Sequence, residues 1–220
     1  MEVTARGNKP KTLQNIAYIS IPDSADLEFL LWDLQDAIAA YARLSGTSLP
    51  RLVALGTDDG VSAADGIVLA VEDVLDGEAM AVVERALDCL GDTEARVYVV
   101  VQAGCGSPER AHTVVAHLRE ACERRGLSWC GGIVVCAGSG IAALRRSPRM
   151  GLLRRPFSEA MDKLVGAVRM GCSVGHAQRL GGGSAEDVDT NGMVYAEPAV
   201  PAPIWQAVIK RLGAHAQSNI

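Results

Sequence analysis

The chain has 220 residues, of which 49% are apolar and 4% aromatic, so aliphatic side chains must form most of its core. This length suits a single α/β domain, and the formal net charge of −5 gives no general attraction to nucleic acid. No apolar run reaches the roughly 18 residues that would span a bilayer, so we expect neither a nucleic-acid nor a membrane partner.

The first eleven residues, MEVTARGNKPK, are polar and basic and lack the apolar segment of a signal peptide. We therefore expect residues 1–11 to form a disordered arm and the protein to be cytoplasmic. The spacings of the six cysteines match neither a zinc site nor an iron–sulfur ligand set. We therefore expect most of them to be small core side chains in a reducing compartment.

Apolar strands alternate with amphipathic helices along most of the chain. Short apolar runs predict strands at Leu13–Pro22, Arg51–Gly56, Gly66–Val71, Ala95–Val101 and Gly131–Cys136. Apolar residues at helical spacing predict helices at Asp26–Leu44, Gly77–Leu90, Pro108–Arg125, Phe157–Met170 and Ile204–Ala216. Continuous apolar strands separated by helices are typical of a parallel sheet that is covered on both faces.

Three helix boundaries have clear chemical signals. Ser24 precedes the first helix as an N-cap and Gly46 follows it as a stop, while Ser107 is the cap candidate before Pro108.

The periodicity ends after Gly171, where the sequence GHAQRLGGGSAEDVDTNGM predicts a mobile loop. We expect one domain at residues 12–171, with residues 172–220 forming a loop and a helix packed on it.

Several segments together resemble a known family. They are ADGIVLAVEDVLDGEAM, VYVVVQAGCGSPERA, WCGGIVVCAGSG, FSEAMDKLVGAVRMG and the Pro-led VPAPIWQAVIKRL. The chain resembles the flavodoxin-like family of NAD(P)H-dependent FMN reductases. The resemblance implies a doubly wound, five-stranded parallel sheet in the order 2-1-3-4-5, FMN as cofactor, NAD(P)H as electron donor, and a homodimer with flavin near the subunit interface.

The resemblance places the flavin at three loops, because ligands of open parallel sheets bind outside the carboxyl ends of the strands. These loops would be Ser20–Asp26 for the phosphate, Val71–Glu78 beside the ring and Gln102–Ser107 at its other edge. The cofactor-binding candidates within them are Ser20, Ser24, Val71, Glu72, Gly104, Cys105, Gly106 and Ser107. No catalytic acid, base or nucleophile is required, since the flavin supplies the hydride chemistry.

The first two loops depart from the family pattern, and the second, VEDVLDGE, offers acids where members often have a Pro-aromatic pair that stacks on the ring. Members offer Ser, Thr, Asn and Gly to the phosphate, whereas SIPDSADLEF has no glycine and places Asp23, Asp26 and Glu28 there. Each acid about 5 Å from a phosphate would cost on the order of 3 kcal/mol in a medium of dielectric constant about 20. The same acids also suit the positive end of a helix dipole, which is a purely structural role.

Two further features have a functional and a structural interpretation. Cys105 lies in a glycine turn before a helix, where its thiol is either activated or incidental. Arginine is concentrated after the last predicted strand, at Arg145, Arg146, Arg149, Arg154 and Arg155. The first three are our candidates for anion binding, and a solvated loop or subunit contact is the alternative.

Two functions remain open from the sequence. One is an FMN-binding oxidoreductase or electron carrier that takes electrons from NAD(P)H. The other is a flavin-free relative that keeps the fold as a binding or regulatory module, which the altered first and second loops favour. Fold alone does not decide between them.

The cysteines provide a first test. We predict no disulfide and no stoichiometric metal, so thiol titration of the denatured, unreduced protein should count six thiols. Four or fewer thiols, without prior oxidation, would show that a cysteine pair is oxidised. The residues concerned are Cys89, Cys105, Cys122, Cys130, Cys136 and Cys172.

Overall fold

The computed structural model describes residues 10–53, 64–90, 95–106, 108–184 and 187–217. The strands are β1 Asn15–Ile21, β2 Arg51–Leu52, β3 Gly66–Glu72, β4 Arg96–Gln102, β5 Ser128–Val135 and β6 Met193–Ala196. The helices are α1 Ala25–Ser45, α2 Gly77–Asp88, α3 Glu109–Arg124, α4 Arg155–Met170, α5 Val174–Leu180 and α6 Ala202–Gln217, with a 3-10 helix at Ile141–Arg146.

All strands of the sheet are parallel and lie in the order β2-β1-β3-β4-β5-β6. The predicted order of the first five strands is confirmed, and it is the order of flavodoxin-like folds. Five strands were predicted, and the described part of the chain has a sixth, β6, which extends the sheet beyond β5. Within the described residues the second predicted strand covers Arg51–Leu52, and residues 54–56 lie outside the described part of the chain.

The central strands are buried on both faces, as their continuous apolar sequences predict. Alternate side chains of β3 and β4 enter two different cores, so Val68 and Val100 face one layer while Leu69 and Val101 face the other. Helices α1, α4, α5 and α6 cover the first face, and α2 and α3 cover the second. The fold is therefore a doubly wound α/β sandwich of three layers.

The segment after Gly171 is more ordered than the sequence predicts. Residues of the predicted loop form α5, whose N-cap Ser173 accepts a hydrogen bond from the backbone N–H of His176. The chain then enters β6, where Met193 pairs with Gly132 of β5. Both elements are short, seven and four residues, so neither gives a recognisable apolar period.

The predicted boundaries of α1 are confirmed. The Ser24 hydroxyl accepts the Leu27 N–H at 3.4 Å, and Gly46 ends the helix with φ of 64°. The predicted disordered arm falls outside the described residues up to residue 9, but the backbone N–H of Lys11 donates to Met170 at 3.0 Å. Ser107, the cap candidate for α3, also lies outside the described residues.

Two buried aromatic side chains fasten helices to the sheet through their polar atoms. The Tyr98 hydroxyl on β4 donates to the carbonyl of Cys172 at 3.2 Å, at the end of α4. The indole N–H of Trp205 on α6 donates to the carbonyl of Ala137 at 2.6 Å, directly after β5. Trp205 is fully buried, so α6 fixes the position of the loop that follows β5.

The paired glycines of β5 allow unusually close strand contacts. Gly131 has φ of 79° at a shift in register between β4 and β5, where Tyr98 pairs with it directly after Val97 pairs with Trp129. A Cβ atom added at Gly132 would overlap the carbonyl oxygen of Val99 on β4.

We predict that Gly132→Ala destabilises the protein by about 1–3 kcal/mol or more, because backbone atoms cannot move aside as a flexible side chain can. The control is Gly166→Ala in α4, where an added Cβ meets no atom within 4 Å and should stabilise by roughly 0.5–1 kcal/mol. Urea unfolding measures both changes. Equal stability of the two variants would contradict the close approach of β4 and β5.

Candidate ligand-binding crevice

A crevice opens where the sheet order reverses, outside the carboxyl ends of β1, β3, β4 and β5. Its cavity has a volume of about 310 Å³. It is lined by Ser24, Ala25, Asp26, Glu72, Asp73, Gln102, Ala103, Gly104, Gly138 and Ser139. This is the position at which open α/β sheets bind ligands.

Asp26, in the first turn of α1, joins three parts of the crevice. One carboxylate oxygen accepts from the backbone N–H of Gly140 at 2.6 Å and from Gln102 Nε2 at 3.1 Å. The other accepts from the backbone N–H of Ala142 at 2.9 Å. The carboxylate is therefore surrounded by N–H donors, which stabilise a negative charge. The dipole of α1 stabilises the same charge.

Gln102 ends β4 and has an amide orientation fixed by its neighbours. Its Nε2 donates to Asp26 and also to the carbonyl of Gly138 at 2.9 Å. The reversed amide would place an oxygen against two other oxygens, so this orientation is the only one with favourable hydrogen bonds. The side chain is 7% exposed, and its Oε1 has no hydrogen-bond partner among the described residues.

The end of β3 adds two more acids. Asp73 accepts the backbone N–H of Gly104 at 3.0 Å, which fixes the turn that follows β4. Glu72 is half-buried at the crevice wall. Together with Asp26, these side chains make the crevice negative and rich in hydrogen-bond acceptors.

The crevice brings together only some of the predicted cofactor-binding residues. Ser24, Glu72 and Gly104 line it, one from each predicted loop. Ser20 and Val71 belong to β1 and β3 and do not line it, nor do Cys105 and Gly106 of the turn beyond Gly104. Ser107 lies outside the described residues.

The surroundings of Cys105 do not lower the pKa of its thiol. Burial raises its pKa above the ordinary value, and the charge of Glu197 raises it further. The Sγ atom lies close to Gly138, 3.6 Å from where a Cβ would stand. The structure therefore favours the incidental role over the reactive one.

The predicted anion-binding arginines do not line the crevice. Arg149 pairs with Asp33 of α1 and, at 3.2 Å, with Asp162 of α4. Arg145 is exposed and stacks on Trp32, with its guanidinium carbon 4.7 Å from the ring centroid. Arg146 is exposed on the 3-10 helix. Anion binding by these three residues stays a prediction.

A buried ion pair lies at the centre of this arginine segment. Asp33 is 3% exposed and Arg154 is 4% exposed, and their charged atoms are 2.5 Å apart. Arg154 also donates to the carbonyl of Ser147 at 2.9 Å and lies over the ring of Phe29. The segment therefore packs against α1 through a shared aspartate.

Gly138 and Ser139 are crevice residues that the sequence analysis missed. The signal was present, since AGSG follows β5 directly and glycine allows close approach of a ligand to the backbone. Gly138 has φ of 68°, a conformation that favours glycine. The resemblance drew attention to only three loops, and the loop after β5 makes a fourth.

Another cavity, of about 230 Å³, lies at the amino ends of β5 and β6. It is more enclosed, and Arg119, Trp129 and Arg179 are among its lining residues. Its acids, Glu123 and Asp189, balance the two arginines in charge. We favour the crevice at the carboxyl ends because it lies at the reversal of strand order.

Within the described ranges, no group of three or more His, Cys, Asp or Glu side chains is arranged to hold a metal ion. None of the helices in the described part of the chain is both long and apolar enough to cross a bilayer. All six cysteines have free thiols in this structure.

The fold and the site define a flavodoxin-like doubly wound α/β protein with an acid-lined crevice. No family model matches the chain, and no curated protein matches its sequence. An oxidoreductase from Corynebacterium diphtheriae is similar over 72% of this chain and 96% of its own, at 13% identity and a TM-score of 0.47.

A short-chain flavodoxin associated with a non-canonical PDU bacterial microcompartment is similar over 70% of this chain and 99% of its own. Its sequence is 14% identical to this chain, and the TM-score between the two structures is 0.39. The fold assignment depends on strand order and helix layers, not on these two similarities.

We predict that Asp33→Ala destabilises the protein by about 3–5 kcal/mol, because it leaves the buried Arg154 charge without a counterion. Denaturant unfolding at neutral pH measures the loss. The control is Glu159→Ala, which breaks the exposed pair with Arg155 at 2.7 Å and should leave stability unchanged. Similar midpoints for both variants would contradict the structural role of Asp33.

Proposed function

We propose that the protein is a flavodoxin-like redox protein that binds a flavin in the crevice at the carboxyl ends of β1, β3, β4 and β5. The observation that supports this most is a crevice at the reversal of strand order whose wall includes Gln102, a residue with a buried and unpartnered Oε1. An unsatisfied buried acceptor costs about 1–3 kcal/mol, and a ligand N–H that reaches it removes that cost.

In this proposal the ring end of the flavin enters the crevice. Gly104 and Gly138 leave space for a planar ligand to approach the backbone, and the N–H of an isoalloxazine ring is a donor for an acceptor-rich wall. A bound flavin would supply the hydride or electron transfer. In this proposal the chain's own residues bind and orient the ring, and NAD(P)H is the electron donor.

The phosphate end of FMN does not fit in the same way. Asp26 already accepts the backbone donors of Gly140 and Ala142, and Ser24 caps α1. This observation favours a second candidate, a flavin-free module that binds another small molecule in the crevice. The arginine segment offers no substitute at the crevice, because its residues do not line it.

We predict that the purified protein quenches the fluorescence of added flavin and that Gly104→Leu weakens the affinity at least tenfold, or about 1.4 kcal/mol. The larger side chain would fill the crevice, where Gly104 has only Asp73 Oδ2 within 4 Å of an added Cβ. The control Gly166→Leu lies on α4, where nothing is within 4 Å, and should bind as the native protein does.

Two outcomes would contradict the proposal. If neither FMN nor riboflavin binds the native protein, the flavin-free module is the better account. If flavin binds but both glycine variants keep native affinity, the flavin occupies a different site.

A further inference from the structure

The first loop of the crevice contains its own anion. The Asp26 carboxylate accepts three hydrogen bonds, from two backbone N–H groups and from Gln102, in the first turn of α1. A phosphate placed there would have to displace a carboxylate that is covalently fixed to the helix. It would also meet the neighbouring charges of Glu72 and Asp73.

One buried polar atom at the wall of the crevice is an acceptor without a partner. Gln102 Oε1 has no partner in the described part of the chain, and its side chain is more than nine-tenths buried at the crevice. Its orientation follows from Asp26, which takes one Nε2 hydrogen and so leaves the oxygen as the unsatisfied atom. Asp26 thus excludes a second anion and also positions the acceptor.

We infer that this crevice selects a ligand that offers N–H or O–H donors and has no phosphate. Gln102 is the recognition residue, and Asp26 determines the specificity. The inference extends the proposed function of flavin binding: it predicts that riboflavin, not FMN, is the preferred flavin. The two ligands differ only in the terminal phosphate, so their affinities compare this one group.

The first measurement is a pair of titrations of the native protein, followed by quenching of riboflavin and FMN fluorescence. We expect riboflavin to bind at least tenfold more tightly than FMN. FMN binding as tight as riboflavin, or tighter, would overturn the inference while leaving the proposed function intact.

The second measurement tests whether Asp26 is responsible. Asp26→Asn removes the charge and keeps one acceptor oxygen, which can serve the Gly140 donor but not also the Ala142 donor on the other side, so the preference for riboflavin should shrink at least fivefold. The control Asp36→Asn removes the same charge from an exposed position of α1 and should change the preference less than twofold. Equal effects of both variants would overturn the specific role of Asp26. Thermal unfolding checks that both variants are folded.

A flavin-independent measurement separates this inference from the proposed function. If neither flavin binds, the proposed function is wrong. The side-chain amide signals of Gln102 in a nitrogen–proton NMR spectrum then test ligand selection by the crevice directly. Methylguanidinium, a donor-bearing cation, should shift these signals, whereas inorganic phosphate should not. A shift with phosphate, or no shift with methylguanidinium, would overturn the inference.

Discussion

The crevice depends on one carboxylate, that of Asp26. Its hydrogen bonds join the first turn of α1 to the end of β4 through Gln102 and to the loop after β5 through Gly140 and Ala142. These segments are distant in sequence. Hydrogen bonds to a charged group are about twice as strong as neutral ones, so these bonds fix the geometry of the crevice. The Asp26 carboxylate also contributes to the negative charge of the crevice.

Most of the sheet was predictable from the sequence because short segments of the chain carry the patterns that identify strands and helices. Runs such as GIVLAV and ARVYVVV are continuous and apolar, and the helices between them have strong periods. The short β6 was not predictable in this way. Its MVYA sequence follows a glycine-rich segment, and its place in the sheet depends on pairing with β5 through Gly132 and its neighbours.

The candidate site was only partly predictable, because the partners of its charged residues are distant in sequence. The arginine segment suggested an anion site, yet Arg149 and Arg154 face Asp33, which precedes them by more than a hundred residues. Similarly, Asp26 seemed to repel a phosphate, whereas it satisfies donors that belong to a loop after β5. In both cases the charged residues have partners distant in sequence, which a local charge pattern does not show. The three predicted loops were a better guide, since each supplies a crevice residue.

The most direct test of this account is a crystal structure of the protein grown with riboflavin. The account predicts ring density in the crevice between Gly104 and Gly138, with a ligand donor within hydrogen-bonding distance of Gln102 Oε1 and with Asp26 still bound to Gly140 and Ala142. Ring density in the cavity beside Trp129, or a ligand that displaces the Asp26 carboxylate, would contradict it.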